Sequence, residues 1–65
     1  MQIIYQGKSL ETSAAFLAAF LAEKGISPAN AVVEYRGEIL DPGALEAARL
    51  EEGAELNVYR IVSGG

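Results

Sequence analysis

The 65-residue sequence contains no cysteine and no histidine. Their absence excludes disulfides, thiolate nucleophiles, imidazole bases and the usual zinc ligands. None of the serines therefore has a histidine base for a serine triad, and glycine-rich phosphate-binding loops are also missing. We predict that the protein is not an enzyme and has no catalytic residues and no cofactor. A fold held by packing alone suits a reducing compartment such as the cytoplasm.

Positive charge is also scarce. The sequence has five lysines and arginines and nine aspartates and glutamates, which gives a formal net charge of −4. Nucleic-acid binding needs clustered basic residues, whereas this balance favours docking onto a basic partner. The longest apolar run, residues 14–22, is far shorter than the roughly 20 residues that span a bilayer. No signal-peptide pattern follows Met1. We expect a cytoplasmic protein that binds neither nucleic acid nor membrane.

The acidic residues of the second half do not form a metal-site pattern. Glu46, Glu51, Glu52 and Glu55 fall on a predicted short helix and a predicted turn, where carboxylates are usually solvated. They lack the convergent spacing that calcium or magnesium loops require. We predict no metal site.

Turn signals and hydrophobic periodicity predict one small domain of the α+β class. Strands are predicted at residues 1–5, 9–11, 31–36, 39–40 and 55–62. Thr12 or Ser13 can cap a helix that runs to Glu23 or Lys24 and ends at Gly25. Asp41-Pro42 is a typical start for a short helix or 3₁₀ segment over residues 43–50. The expected architecture is a mixed sheet of four to five strands with one main helix across one face and a short second helix.

The helix should cover the sheet with one apolar stripe, formed by Phe16, Leu17, Phe20 and Leu21. In the last strand, the period of two separates Leu56 and Val58 on the core side from Tyr59 and Ile61 on the outer side.

The first strand should turn Met1, Ile3 and Tyr5 to the core and leave Ile4 outside. The sequence therefore predicts an exposed docking patch of Ile4, Tyr59 and Ile61 near the C-terminus. The alternative is that one or two of these side chains pack under a loop or stand singly at the surface, which is normal.

The sequence ends in Gly64-Gly65. Glycine has no Cβ to obstruct a close-fitting channel, so such an end offers a narrow peptide with a terminal carboxylate. That carboxylate becomes reactive once an enzyme activates it. A frayed chain end is the alternative interpretation. We predict a domain over residues 1–62 and a flexible tail over residues 63–65.

The whole chain resembles the ThiS sulfur carriers of thiamine biosynthesis, which are ubiquitin-like β-grasp proteins. The resemblance lies in Met-Gln-Ile-Ile at residues 1–4 and in Val-Glu-Tyr-Arg-Gly-Glu-Ile-Leu-Asp-Pro at residues 33–42. It continues in Glu-Gly-Ala-Glu-Leu at residues 52–56 and in Arg-Ile-Val-Ser-Gly-Gly at residues 60–65. The chain departs from the common family pattern at Arg36 and Ala54.

The resemblance implies that an ATP-dependent, E1-like adenylyltransferase adenylates Gly65. A sulfur-donating enzyme then converts the carboxylate to a thiocarboxylate, and thiazole synthase takes the sulfur. Ser63 and Gly64 are expected to thread into the activating enzyme. Val62 is expected to join the docking patch. The free protein is expected to be a monomer.

Other functions fit the same features. Related carriers with this fold and a Gly-Gly end serve molybdopterin, cysteine or homocysteine synthesis. A ubiquitin-like modifier would instead join Gly65 to lysines of target proteins. A third alternative is a non-covalent β-grasp interaction module whose tail is incidental.

Overall fold

A computed structural model of the protein describes residues 1–61, which form five strands and one α-helix. The strands are β1 (Gln2–Tyr5), β2 (Lys8–Glu11), β3 (Ala31–Tyr35), β4 (Glu38–Leu40) and β5 (Glu55–Arg60). The helix is α1 (Leu17–Glu23), and single 3₁₀ turns occur at Pro28–Asn30 and Pro42–Ala44. The predicted α+β class is confirmed.

The strands form one mixed sheet in the order β2-β1-β5-β3-β4. β1 runs parallel to β5, and the other neighbouring pairs are antiparallel. The last strand in the chain therefore lies at the centre of the sheet. Helix α1 covers one face, where Phe20, Leu17 and Leu21 are fully buried together with Ile3 and Leu56. Within residues 1–61, no helix or strand covers the opposite face of the sheet.

Helix α1 begins later than predicted. Its N-cap is Phe16, whose backbone is extended (φ −128°, ψ 154°), so Thr12 and Ser13 do not cap it. Phe16 instead forms an isolated antiparallel bridge with Arg49, which holds the preceding backbone in a strand-like path. As a result Phe16 is only half-buried, and it does not belong to the core stripe.

Thr12 has a different role, directly after β2. Its Oγ1 accepts the Ala14 N–H at 3.0 Å and donates to Glu23 Oε1 at 3.1 Å. The buried hydroxyl therefore joins the start of the extended segment to the last turn of α1.

The segment predicted as a short helix or 3₁₀ segment over residues 43–50 is a 3₁₀ turn that spans only Pro42–Ala44. The reason is tertiary hydrogen bonding, because Leu17 N–H donates to Ala48 O at 2.9 Å and Leu50 N–H donates to Ala15 O at 2.9 Å. These bonds hold the later part of the segment against the chain that precedes α1.

The turns are set by residues with positive φ. Gly25 has φ +70° directly after the end of α1, which confirms its predicted role as helix terminator. The β3–β4 hairpin turns at Arg36 and Gly37, with φ 54° and 85°. Strand β3 therefore ends at Tyr35, one residue before the predicted end at residue 36, because two consecutive positive φ values make the tight turn that fits the twist of a hairpin.

Tyr35 links β3 to the chain segment before β5. Its buried side chain donates a hydrogen bond to Arg49 O and accepts one from Glu51 N–H, each at 2.9 Å. Tyr35→Phe leaves both backbone groups without this partner, so we expect it to lower the free energy of unfolding by about 1–3 kcal/mol. Urea denaturation measures the loss.

Tyr59→Phe is the matched control. Tyr59 is exposed and its hydroxyl lies 3.4 Å from Glu34 Oε1, so its removal should change stability by less than about 0.5 kcal/mol. Equal losses in the two variants would contradict the role given to Tyr35.

Candidate functional site

The uncovered face of the sheet carries the residues predicted for docking. Leu56 and Val58 of β5 are buried, whereas Tyr59 is 54% exposed and Ile61 is 55% exposed. The predicted facing of this strand is confirmed. Ile61 N–H donates to Asn30 O at 2.8 Å, so the chain just beyond β5 is held against the 3₁₀ turn Pro28–Asn30.

Ile4 lies on the same face and is 37% exposed, but the structure does not bring it to Tyr59 and Ile61. The parallel register of β1 and β5 places Ile4 opposite Glu55, four strand residues before Tyr59, which is about 13 Å. The three residues therefore do not form the contiguous patch that was predicted.

Met1, predicted in the core, is exposed.

Gln6 occupies the space between β1 and the later part of β5. Its side-chain Nε2 donates to Val58 O at 2.8 Å, and its Oε1 accepts from Val58 N–H at 3.1 Å. The Gln6 side-chain amide thus makes two hydrogen bonds to the β5 backbone at a position that β1 no longer reaches, because β1 ends at Tyr5. It separates Ile4 from the apolar residues near the end of β5.

The register adds two residues that the sequence analysis missed. Val32 lies directly opposite Tyr59 on β3, and Ile39 of β4 lies opposite Glu34. Val32 is half-buried and Ile39 is 63% exposed. We call Val32, Ile39, Tyr59 and Ile61 the outer patch. Alternation within β3 assigns Val32 to this face, whereas its pairing with Tyr59 depends on strand register.

One carboxylate lies inside the outer patch. Glu34 Oε1 accepts hydrogen bonds from Asn57 Nδ2 at 3.2 Å and from the Tyr59 hydroxyl at 3.4 Å. Arg36, which follows at the turn, is paired with Glu51 at 2.8 Å. The outer patch therefore combines exposed apolar side chains with negative charge.

A cleft of about 300 Å³ lies beside the end of β5 and is lined by Gly25, Ile26, Ser27, Asn30, Arg60 and Ile61. It adjoins the point from which the chain continues to its predicted tail. The predicted docking residue Val62, the threading residues Ser63 and Gly64, and the modified residue Gly65 lie outside the described residues.

Two further observations concern residues 1–61. No group of three histidine, cysteine, aspartate or glutamate side chains within them is placed to hold a metal ion. No helix in this part of the chain is long and apolar enough to cross a membrane.

Comparison with known proteins gives a structural match. No protein-family model matches the sequence, and no curated protein matches it. The crystal structure of the thiamine biosynthesis protein ThiS from Geobacter metallireducens matches with a TM-score of 0.82 and 23% identity, and the match covers 100% of both chains. An NMR structure of a thiamine biosynthesis protein from the same organism matches with a TM-score of 0.79 and 23% identity, over 100% of this chain and 88% of that one.

At this identity the likeness establishes the fold. The sheet of five strands with one main helix is the ubiquitin-like β-grasp that the sequence resemblance predicted, and the structure matches that of a ThiS protein.

Proposed function

We propose that the protein is a sulfur carrier for thiazole formation in thiamine biosynthesis. The observation that carries this proposal is the structural match to ThiS over the full length of both chains. The Gly64-Gly65 sequence supplies the reacting group. In this function the protein is a recycled co-substrate of other enzymes, and it is not an enzyme itself.

The chemistry proposed for Gly65 follows from the low reactivity of a carboxylate, which must be activated before a nucleophile attacks it. A carboxylate oxygen of Gly65 attacks the α-phosphorus of ATP in an E1-like adenylyltransferase, and pyrophosphate leaves. Hydrosulfide supplied by the sulfur-donating enzyme attacks the acyl carbon, AMP leaves with its phosphate oxygen, and loss of the sulfur proton gives the thiocarboxylate. Thiazole synthase then takes the sulfur from the thiocarboxylate. We place this ATP-consuming cycle in the cytoplasm.

The proposal divides the chain into a β-grasp domain over residues 1–62 and a tail over residues 63–65. Ser63 and Gly64 thread into the adenylyltransferase, because small side chains leave the backbone free to approach closely. The outer patch docks on the same enzyme, with Val62 beside Ile61. A stable interface buries about 800 Å² of surface on each partner. An interface of this size that is centred on the outer patch also includes Ile4 at its periphery.

Tyr59→Ala should weaken binding to the adenylyltransferase by on the order of 1–3 kcal/mol, because aromatic side chains at the centre of an interface often dominate affinity. The exposed ring contributes little to the core, so the melting temperature should change little. Isothermal titration calorimetry and thermal unfolding measure the two effects. A large drop in melting temperature with normal adenylation would contradict this role.

The proposed function is tested by the mass of the C-terminal peptide in protein purified from its native host. The expected result is a terminal Gly65 in which one sulfur replaces one oxygen. Deletion of the gene should also create a requirement for thiazole or thiamine in the medium. Conjugates of Gly65 with target lysines would support the modifier function instead.

Two other results refute the proposal in different ways. A thiocarboxylate without a thiazole requirement indicates a carrier for another pathway. A carboxylate that is never modified, in cells that are making thiamine, refutes the carrier function altogether.

A further inference from the structure

Glu34 lies within the outer patch, on the strand next to the edge strand β4, and has no cationic partner among residues 1–61. It is half-buried on β3, between Asn57 of β5 on one side and Ile39 of β4 on the other. The salt bridges within residues 1–61 join the N-terminus to Glu11 and Arg36 to Glu51. Neither of them involves Glu34.

The two oxygens of this carboxylate differ. Oε1 accepts from both Asn57 Nδ2, at 3.2 Å, and the Tyr59 hydroxyl, at 3.4 Å. No hydrogen bond from residues 1–61 reaches Oε2. The neutral donors therefore orient the carboxylate, and they leave one oxygen and the full negative charge to solvent.

The surroundings of Glu34 make this charge important when the face is covered. Val32, Ile39 and Tyr59 lie around it, so an apolar partner surface that covers them also removes water from the carboxylate. A charge that is desolvated without a counter-ion is strongly unfavourable. A partner that brings a cation to Oε2 offsets this penalty.

The features of the site favour arginine over lysine as that cation. A guanidinium is planar, is more weakly hydrated than an ammonium and forms directed bonds to carboxylates. It also stacks on aromatic faces, and the exposed Tyr59 ring lies next to Glu34. Glu55, which lies beside Asn57 and Ile4 on the same sheet face, adds to the attraction for a basic partner.

We propose that Glu34 is a specificity-determining residue of the docking face and binds an arginine side chain of the adenylyltransferase. This inference rests on the proposed function, in which that enzyme covers the outer patch. It adds the chemistry that the partner surface must have: an apolar area with one arginine inside it. Asn57 and Tyr59 act as positioning residues, because they hold the carboxylate in place.

The test is Glu34→Gln, which keeps the side-chain length and an oxygen acceptor for Asn57 and Tyr59 while removing the charge. The dissociation constant for the adenylyltransferase of the host should rise by about tenfold or more, as expected for loss of a buried charge pair. The dependence of affinity on salt concentration should become weaker. The melting temperature should stay unchanged.

Glu38→Gln is the matched control. It makes the same change in net charge on the neighbouring strand, but Glu38 lies opposite Tyr35 and not opposite Glu34, so it points away from the outer patch. The dissociation constant of the Glu38→Gln variant for the adenylyltransferase should stay within about twofold of the wild-type value. Equal weakening in the two variants would indicate long-range attraction only and would overturn the inference, as would unchanged binding of Glu34→Gln.

Thiocarboxylate formation separates this inference from the proposed function. Glu34→Gln should need a higher adenylyltransferase concentration than the wild-type protein for half-maximal loading, because the charge pair acts in docking. Normal loading of the wild-type protein together with unchanged Glu34→Gln binding refutes only the inference. A wild-type protein that neither binds the adenylyltransferase nor becomes loaded refutes both.

Discussion

Deletion of Gly65 is expected to abolish sulfur loading and to leave the fold intact. The last carboxylate then moves by one residue, up to about 3.5 Å, whereas a displacement of about 1 Å can already cost a factor of about 100 in rate. The last strand ends at Arg60, so the deletion removes no part of the described sheet. Mass spectrometry after incubation with the adenylyltransferase, ATP and the sulfur donor measures the loading.

Two further variants make this result specific. Addition of one glycine after Gly65 should fail equally, since it moves the carboxylate in the opposite direction. Ser63→Ala keeps the length of the tail and adds no bulk, so it should be loaded normally. All three variants should unfold at the wild-type temperature. A thiocarboxylate on either length variant would contradict the proposed geometry.

Phe20→Ala is expected to lower the free energy of unfolding by about 3–5 kcal/mol, the usual cost of removing a buried aromatic ring. Phe20 is fully buried, and its ring meets that of Tyr5 edge to face at 5.0 Å between centroids. Domains are typically stable by only about 5–15 kcal/mol, so this variant should be close to unfolding at ambient temperature. Urea denaturation measures the shift, provided that the slope of the transition is unchanged.

Phe16→Ala is the control for this prediction. Phe16 is half-buried, and the guanidinium carbon of Arg49 lies 5.2 Å from its ring centroid. Less apolar area is lost there, so we expect a cost of about 1–2 kcal/mol. A Phe20→Ala loss below about 1 kcal/mol, or equal losses at the two sites, would show that the core is assigned incorrectly.

The features that the sequence predicted well are local ones. Alternation over residues 55–60 assigned Leu56 and Val58 to the core and Tyr59 to the opposite face. Gly25 marked the end of the helix because few other residues adopt its positive φ. Signals of this kind depend on neighbours in the chain, so the sequence contains them directly.

The start of the helix was predicted incorrectly because distant residues decide it. The spacing of Phe16 and Phe20 is compatible with one helix that includes both. The backbone around Phe16 instead hydrogen-bonds to Ala48 and Leu50, and these partners are not visible in local periodicity. Tertiary bonds thus replaced the first turn of the predicted helix.

The candidate docking site shows the same limit. A period of two assigns a residue to a face, but it does not say which residues of two strands lie opposite each other. Ile4 was therefore predicted on the correct face of the sheet, but it lies beside the start of β5 and not beside its end. The pairing of Val32 with Tyr59 became visible only from the register of β3 and β5. The position of Glu34 within the outer patch depends on the same non-local pairing.

The central position of β5 also determines when the protein can fold during its synthesis. Within the sheet, β1 and β2 form one hairpin and β3 and β4 another, and β5 joins the two. A nascent chain of residues 1–54 thus holds two separate two-stranded hairpins, which are marginally stable in water. The core can close only after residues 55–60 have left the ribosome. The outer patch is therefore complete only after β5 has joined the two hairpins, and a chain that stops before residue 55 lacks the Tyr59 side of this docking surface.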